Sequence, residues 1–230
     1  MKRIKKSLLA CFALGMIISL SGCSNSDKDS KKDSQGTTKQ EDKIQMVAND
    51  VYVEPVNPTN AQIKAYNALS DAVKSENLEE EAKQVAISFV YDFYTLSNKT
   101  DQGNLGGLEF IPSTSIGSFE DFATSYYYGN YPTIVNTYGK DSLPEVSGVT
   151  ISSAIPQSYL TYGTQSGEGY VFTIQVTYAD SKMPSDKLKT NIEVTVMRMY
   201  DYPYDSSIDY SSAYTQAGSP IELYRVLAAE

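Results

Sequence analysis

Carboxylates, phenols and amines are the side chains left to do bond-making chemistry, because the 230 residues contain no His and place both cysteines, Cys11 and Cys23, near the N-terminus. Without imidazole, Ser-His-Asp and Cys-His catalysis, His-ligated zinc and a His switch near neutral pH are closed. From residue 24 onward there is no thiol nucleophile, no disulfide and no cysteine metal site. The patterns S-x-x-K, G-x-S-x-G, G-x-G-x-x-G and G-x-x-x-x-G-K-[ST] do not occur. Asp92, flanked by Tyr91 and Tyr94, is the carboxylate to nominate for proton transfer. A phenol can donate to a developing oxyanion while a carboxylate moves the proton. Asp92 also falls beside an apolar helical stripe, where a solvated or hydrogen-bonded flank is the alternative reading.

All 19 tyrosines follow residue 50, and two clusters stand out: Tyr126, Tyr127, Tyr128, Tyr131 and Tyr138, then Tyr200, Tyr202, Tyr204, Tyr210 and Tyr214. With no Trp in the chain, Tyr carries the amphipathic aromatic role. The stretch 201–219 separates two strand candidates, and a connection that long is usually functional or mobile. Tyr202, Tyr204, Tyr210 and Tyr214 are therefore the expected binding surface, the alternative being that these rings cover a sheet edge and the core rim. Asp201, Asp205 and Asp209 in the same stretch bring enough oxygen for a calcium reading. That reading departs from the EF-hand: counted from Asp201, the third position is Pro203, the glycine position is Ser206 and the twelfth is Ser212. No cofactor is expected.

Residues 1–6 carry four positive charges, and the run Leu8 to Leu20 carries none. This is a signal-peptide plan, and the apolar run is short of the roughly 20 residues of a membrane span. Leu20-Ser21-Gly22-Cys23 resembles the lipobox of bacterial lipoproteins of the Gram-positive type. The resemblance implies cleavage before Cys23, a diacylglycerol on its thiol and attachment at the extracytoplasmic face of the cell membrane, for which two acyl chains suffice. Removal of residues 1–22 leaves 15 bases against 28 acids, a net charge of −13. So acidic a chain is repelled by nucleic acid and other polyanions, and cationic or neutral partners fit better.

The elements that must position these groups begin after a Ser/Lys/Asp-rich segment. Residues 23–50 read as a disordered tether of about 29 Å average span and ~90 Å limit, and 51–230 as one domain. Thr59 with Gln62 predicts a capping box for a helix whose stripe is Ile63, Tyr66, Leu69 and Val73. Asn77 with Glu80 opens a second helix, its acidic first turn facing the positive end of the helix dipole, with Ala82, Val85, Ala86, Phe89, Val90, Phe93 and Leu96 buried. Gly106-Gly107 reads as turn geometry, or as a place where backbone approaches a ligand. Leu108–Ile111 reads as a short strand, Ser118 onward as a third helix through Phe119, Phe122, Ala123 and Tyr126, and Tyr131–Tyr138 as its resumption, ended by Gly139. The period then changes from 3.6 to 2. Tyr170–Tyr178, Leu188–Tyr200, Gly148–Ile155, Tyr159–Tyr162 and Ile221–Leu227 are the strand candidates.

Helices followed by an antiparallel meander make an α+β fold: two to three helices packed on a curved antiparallel sheet of four to five strands. This order of elements, over roughly residues 58–229, resembles the nuclear transport factor 2-like or cystatin-like cone. In that superfamily some members are isomerases or dehydratases and many only bind proteins or ligands; the dehydratase-type His-Asp pair has no counterpart here. The expectation is a lipid-anchored binding or accessory module that offers a Tyr-rich acidic surface to an envelope protein, a peptide or a glycan. The alternatives are a small carboxylate and tyrosine isomerase or hydrolase, or a structural subunit marked by a large apolar patch.

Overall fold

A computed structural model describes residues 44–212 and 218–230. Cys23 with Leu20, Ser21 and Gly22, and also Tyr214, lie outside the described residues. The fold is α+β. Helix α1 (Asn60–Lys74) starts at Thr59, whose side chain caps Gln62 while Gln62 returns a bond to the Thr59 N–H, so the predicted capping box is present. Helix α2 (Leu78–Tyr94) starts at Asn77, whose side chain accepts from the Glu80 N–H, with three glutamates in its first turn. Helices α3 (Ile116–Tyr126) and α4 (Tyr131–Tyr138) follow, and α4 stops at Gly139, where φ is 92°.

Strands β1 (Val146–Tyr162), β2 (Gln165–Tyr178), β3 (Asn191–Asp201) and β4 (Ile221–Ala229) form one antiparallel sheet in the order β1-β2-β3-β4. The two candidates Gly148–Ile155 and Tyr159–Tyr162 are one long strand, carried past Pro156 by register shifts that include one between Gln157 and Leu160. Such bulges bend a strand without ending it.

Alternation gives the sheet one buried face: Phe172, Ile174 and Val176 on β2 and Ile192, Val194 and Val196 on β3 are buried, with Gln175 and Glu193 exposed between them. The stripe of α2 lies on that face and touches all four strands, while α1 packs mainly on α2. Each large side chain fully buried here, such as Phe89 and Phe172, contributes about 1.5–3 kcal/mol.

Three expectations are corrected. Leu108–Phe110 is a 3-10 turn and not a strand, because an apolar run this short fits either state and Gly107, at φ 78°, sends the chain into a turn. The ordered domain begins before Val51. Asn67 on α1 accepts from the Val47 N–H at 2.8 Å and donates to the Gln45 carbonyl at 2.9 Å, and Ser70 donates to the Val47 carbonyl at 2.7 Å. The apolar Met46 packs on the core there, which a spacer would not do. Within α3, Phe122 and Tyr126 are 54% and 72% exposed, so its predicted stripe is only partly a packing face.

Candidate functional site

Three charged side chains fix the segment that leads into α3. Asp92, on the last turn of α2, is buried and accepts from Lys99 Nζ and Gln62 Nε2 at 2.8 Å through Oδ1, and from the Gly107 N–H at 2.7 Å through Oδ2. Arg225, in β4, is fully buried and donates through Nε to Asp201 at 2.7 Å, and through its two terminal nitrogens to the carbonyls of Glu109 and Tyr202. Asp201 in turn accepts from the Ser113 N–H at 2.9 Å and from its hydroxyl. Gly107, Glu109 and Ser113 are thereby held at three successive points, and α3 begins three residues later. A side chain at 106 would put its Cβ 2.4 Å from the Asp92 carbonyl oxygen, so the close approach at Gly106 is to α2, and no ligand is needed to explain it.

With its loop fixed, α3 closes one side of a cleft of about 660 Å³. Phe89, Phe93 and Tyr94 of α2 line its floor, with Phe119 tilted onto Phe93 at 5.3 Å and Tyr127 stacked on Phe93 at 5.5 Å. Phe122 and Tyr126 stack on each other at 4.9 Å along the rim. The opposite wall is the end of β4, from Val226 to Glu230. Polar groups are few: Ser118, Asn130, Lys189, Glu230 and the Ser115 and Tyr162 hydroxyls, which bond to each other at 2.5 Å. A concave, mostly apolar space of this size with scattered polar groups has the character of a ligand site. Among the described residues no aspartate lines it, and its one lining glutamate, Glu230, is exposed.

The nominated residues lie elsewhere. Asp92 is the hydrogen-bonded flank, with both oxygens occupied. The space beside it, shared with Ser88 and Glu109, is about 10 Å³, room for a water and not for a substrate. Burial pushes the Glu109 carboxyl up to about 8, with the neighbouring Asp92 charge adding to the rise. The calcium triad does not assemble: Asp201 is bound by Arg225 and Ser113, while exposed Asp205 and Asp209 each cap their own turn through Ser207 and Ser211. Those serine contacts hold both carboxyls below the usual aspartate range. Among the described residues no group of three acids is placed to hold a metal.

The expected Tyr surface is also redistributed. Tyr210 is buried and stacks on half-buried Tyr204 at 5.7 Å, and the Asp205 N–H reaches the Tyr210 hydroxyl at 3.1 Å. Tyr202 is half-buried and its carbonyl is taken by Arg225. These rings cover the core rim, where the Tyr210 carbonyl crosses Gly117 too closely for any Cβ. The exposed aromatic rings beside the cleft are instead Tyr126 of the first cluster and Phe122, with Tyr127 half-buried against Phe93 and Tyr94.

Neither family descriptions, nor curated proteins, nor solved structures give a match to this chain. No helix among the described residues is long and apolar enough to cross a membrane.

Proposed function

We propose that this chain is a lipid-anchored extracytoplasmic binding module whose aromatic cleft holds an apolar or aromatic part of an envelope protein, a peptide or a glycan. The cleft carries the reading: about 660 Å³ of space lined by phenylalanine and tyrosine, with its rim rings exposed and stacked. Exposed aromatic pairs on a rigid helix are costly to leave in water and suited to recognition, because little side-chain entropy is lost when they are covered. The enzyme alternative has no carboxylate buried in the cleft to support it. The anchor rests on Leu20-Ser21-Gly22-Cys23 behind a basic and then an apolar segment.

Two experiments on intact cells test the two halves. Cys23→Ser is expected to release the chain from the membrane fraction, and full retention overturns the anchor. A photo-reactive phenylalanine analogue at position 122 is expected to give a discrete adduct that is absent when the same analogue replaces Tyr200, which is exposed on β3 and does not line the cleft. Equal labelling at both positions overturns the cleft.

A further inference from the structure

One wall of the cleft is unusual for a sheet. Five consecutive residues, Val226, Leu227, Ala228, Ala229 and Glu230, line it. A regular sheet face offers only every second residue of a strand; here the run crosses a bulge at Leu227, opposite the register shift between Thr195 and Val196, and lies on the outermost strand of the sheet. Among the described residues strand β4 is the last in the sheet and pairs with β3 alone. An unpaired edge carries main-chain donors and acceptors ready for another strand. Upstream the edge is plugged: the Tyr52 hydroxyl accepts from the Tyr224 N–H at 3.0 Å and donates to the Tyr224 carbonyl at 3.3 Å. What lies open is the cleft end from Val226 to Ala229, about 13 Å of strand at 3.3–3.4 Å per residue, because the main-chain N–H and carbonyl of Glu230 are both bonded to Glu193.

Charge selects among strands that could lie there. Residues 100–139, which supply α3, its approach and α4, contain no Lys or Arg, and of their four acids Asp101 and Asp121 are exposed while Glu109 is buried away from the cleft. Among the described residues Glu230, at the end of the β4 wall, and Lys189 are the charged groups lining the cleft. The aromatic rim pair adds ring faces that attract cations.

Granting that the cleft is a binding site, we infer that its occupant is an extended peptide segment of basic and aromatic character, added as a fifth strand on the open end of β4 with its apolar side chains against Phe93, Phe119 and Phe122. Main-chain bonds to β4 supply register, the aromatic floor takes alternate side chains, and flanking basic residues meet exposed Asp121, next to Phe122, and Glu230 at the end of the wall.

The test selects nonapeptides from a random displayed library on the full chain, with the full chain carrying Phe122→Ala and Tyr126→Ala as counter-selection. The expected winners carry net positive charge with alternating aromatic or aliphatic residues. Their affinity, read in full chain carrying Phe122→Trp as the sole Trp, should fall about tenfold or more when alternate peptide amides are N-methylated, since lost strand bonds cost that much. It should also weaken as salt rises. Winners that are acidic, or that tolerate N-methylation, overturn strand addition, as does the absence of any winner. A neutral probe, N-phenyl-1-naphthylamine, separates the two readings. Saturable binding that the double substitution abolishes keeps the cleft as a site without a peptide strand, and no binding of probe or peptide removes both.

Discussion

The hydroxyl of Tyr52 sits against the main chain of Tyr224, 172 positions away: it accepts from the Tyr224 N–H at 3.0 Å, and its single proton is shared between Glu81 at 2.8 Å and the Tyr224 carbonyl at 3.3 Å. One phenol thus satisfies an edge of β4 and a buried carboxylate of α2, both of which would otherwise be dry and unpaired. Burial, with the Glu81 charge beside it, raises this phenol well above the ordinary tyrosine range, so the fold favours its protonated, donating form. Tyr52→Phe keeps the ring and removes the node. Urea denaturation should show a loss of about 2–4 kcal/mol, the cost of leaving two or three buried polar groups without a partner. A loss under about 0.5 kcal/mol would mean that water replaces the hydroxyl.

Arg225 should be the costliest single truncation. Its guanidinium is 0% exposed and pairs with Asp201, so Arg225→Ala strands a buried carboxylate and frees the Glu109 and Tyr202 carbonyls. The expected loss is about 3–5 kcal/mol. Because Asp201 is already committed to Arg225 and Ser113, millimolar calcium or a chelator should leave the melting temperature of the wild-type chain unchanged. A rise with calcium would restore the metal reading.

Stability should fall with pH through a window that ordinary carboxylates do not set. The Glu109 carboxyl is raised from 4.5 to about 8 in the fold, so folding favours its protonated form. Its contribution is fully present below about 4.5 and is lost as pH rises through 8, with a slope of at most about 1.4 kcal/mol per pH unit. Burial raises Glu81 as well, with the same sign. The decisive comparison is therefore between wild type and Glu109→Gln, whose urea midpoints should diverge in favour of the variant from pH 5 to 8. Parallel curves would show that Glu109 is solvated.

The two tyrosine clusters should separate by role. Tyr204→Ala with Tyr210→Ala removes a stacked, largely buried pair and should cost several kcal/mol. Phe122→Ala with Tyr126→Ala removes an exposed pair and should change stability by less than about 1 kcal/mol while abolishing probe binding in the cleft. The reverse outcome would return the binding surface to the 201–219 stretch.

Local signals carried most of the architecture. Thr59, Asn77 and Gly139 punctuate helices through bonds or dihedrals confined to a few neighbouring residues, and the alternation from Tyr170 to Tyr178 follows from one buried face. Those are short-range causes, so they are written in short stretches of sequence. The cleft is different: Phe93, Phe122 and Ala229 come from three elements whose convergence depends on packing, and no spacing announces it. Phe122 and Tyr126 share the helical period of a core stripe, and only the placement of β4 leaves them outside. Arg225 did offer a clue, a charge set between Tyr224 and Val226 in a strand candidate, which burial must pair with an acid. Leu108–Ile111 had the opposite fault, an apolar run too brief to choose between strand and turn.

The bonds from Gln45 to Tyr52 have a mechanical meaning if the N-terminal side is where the chain is held. A pull applied ahead of residue 44 meets the contacts of Val47 with Asn67 and Ser70 first, then Tyr52 on Tyr224. These bonds yield one after another, as in unzipping, instead of sharing the load. The strand they expose, β4, is the wall of the cleft. Tension on that side would therefore strip the Tyr52 latch from β4 and bare more of the strand's edge before it reached the α2 core.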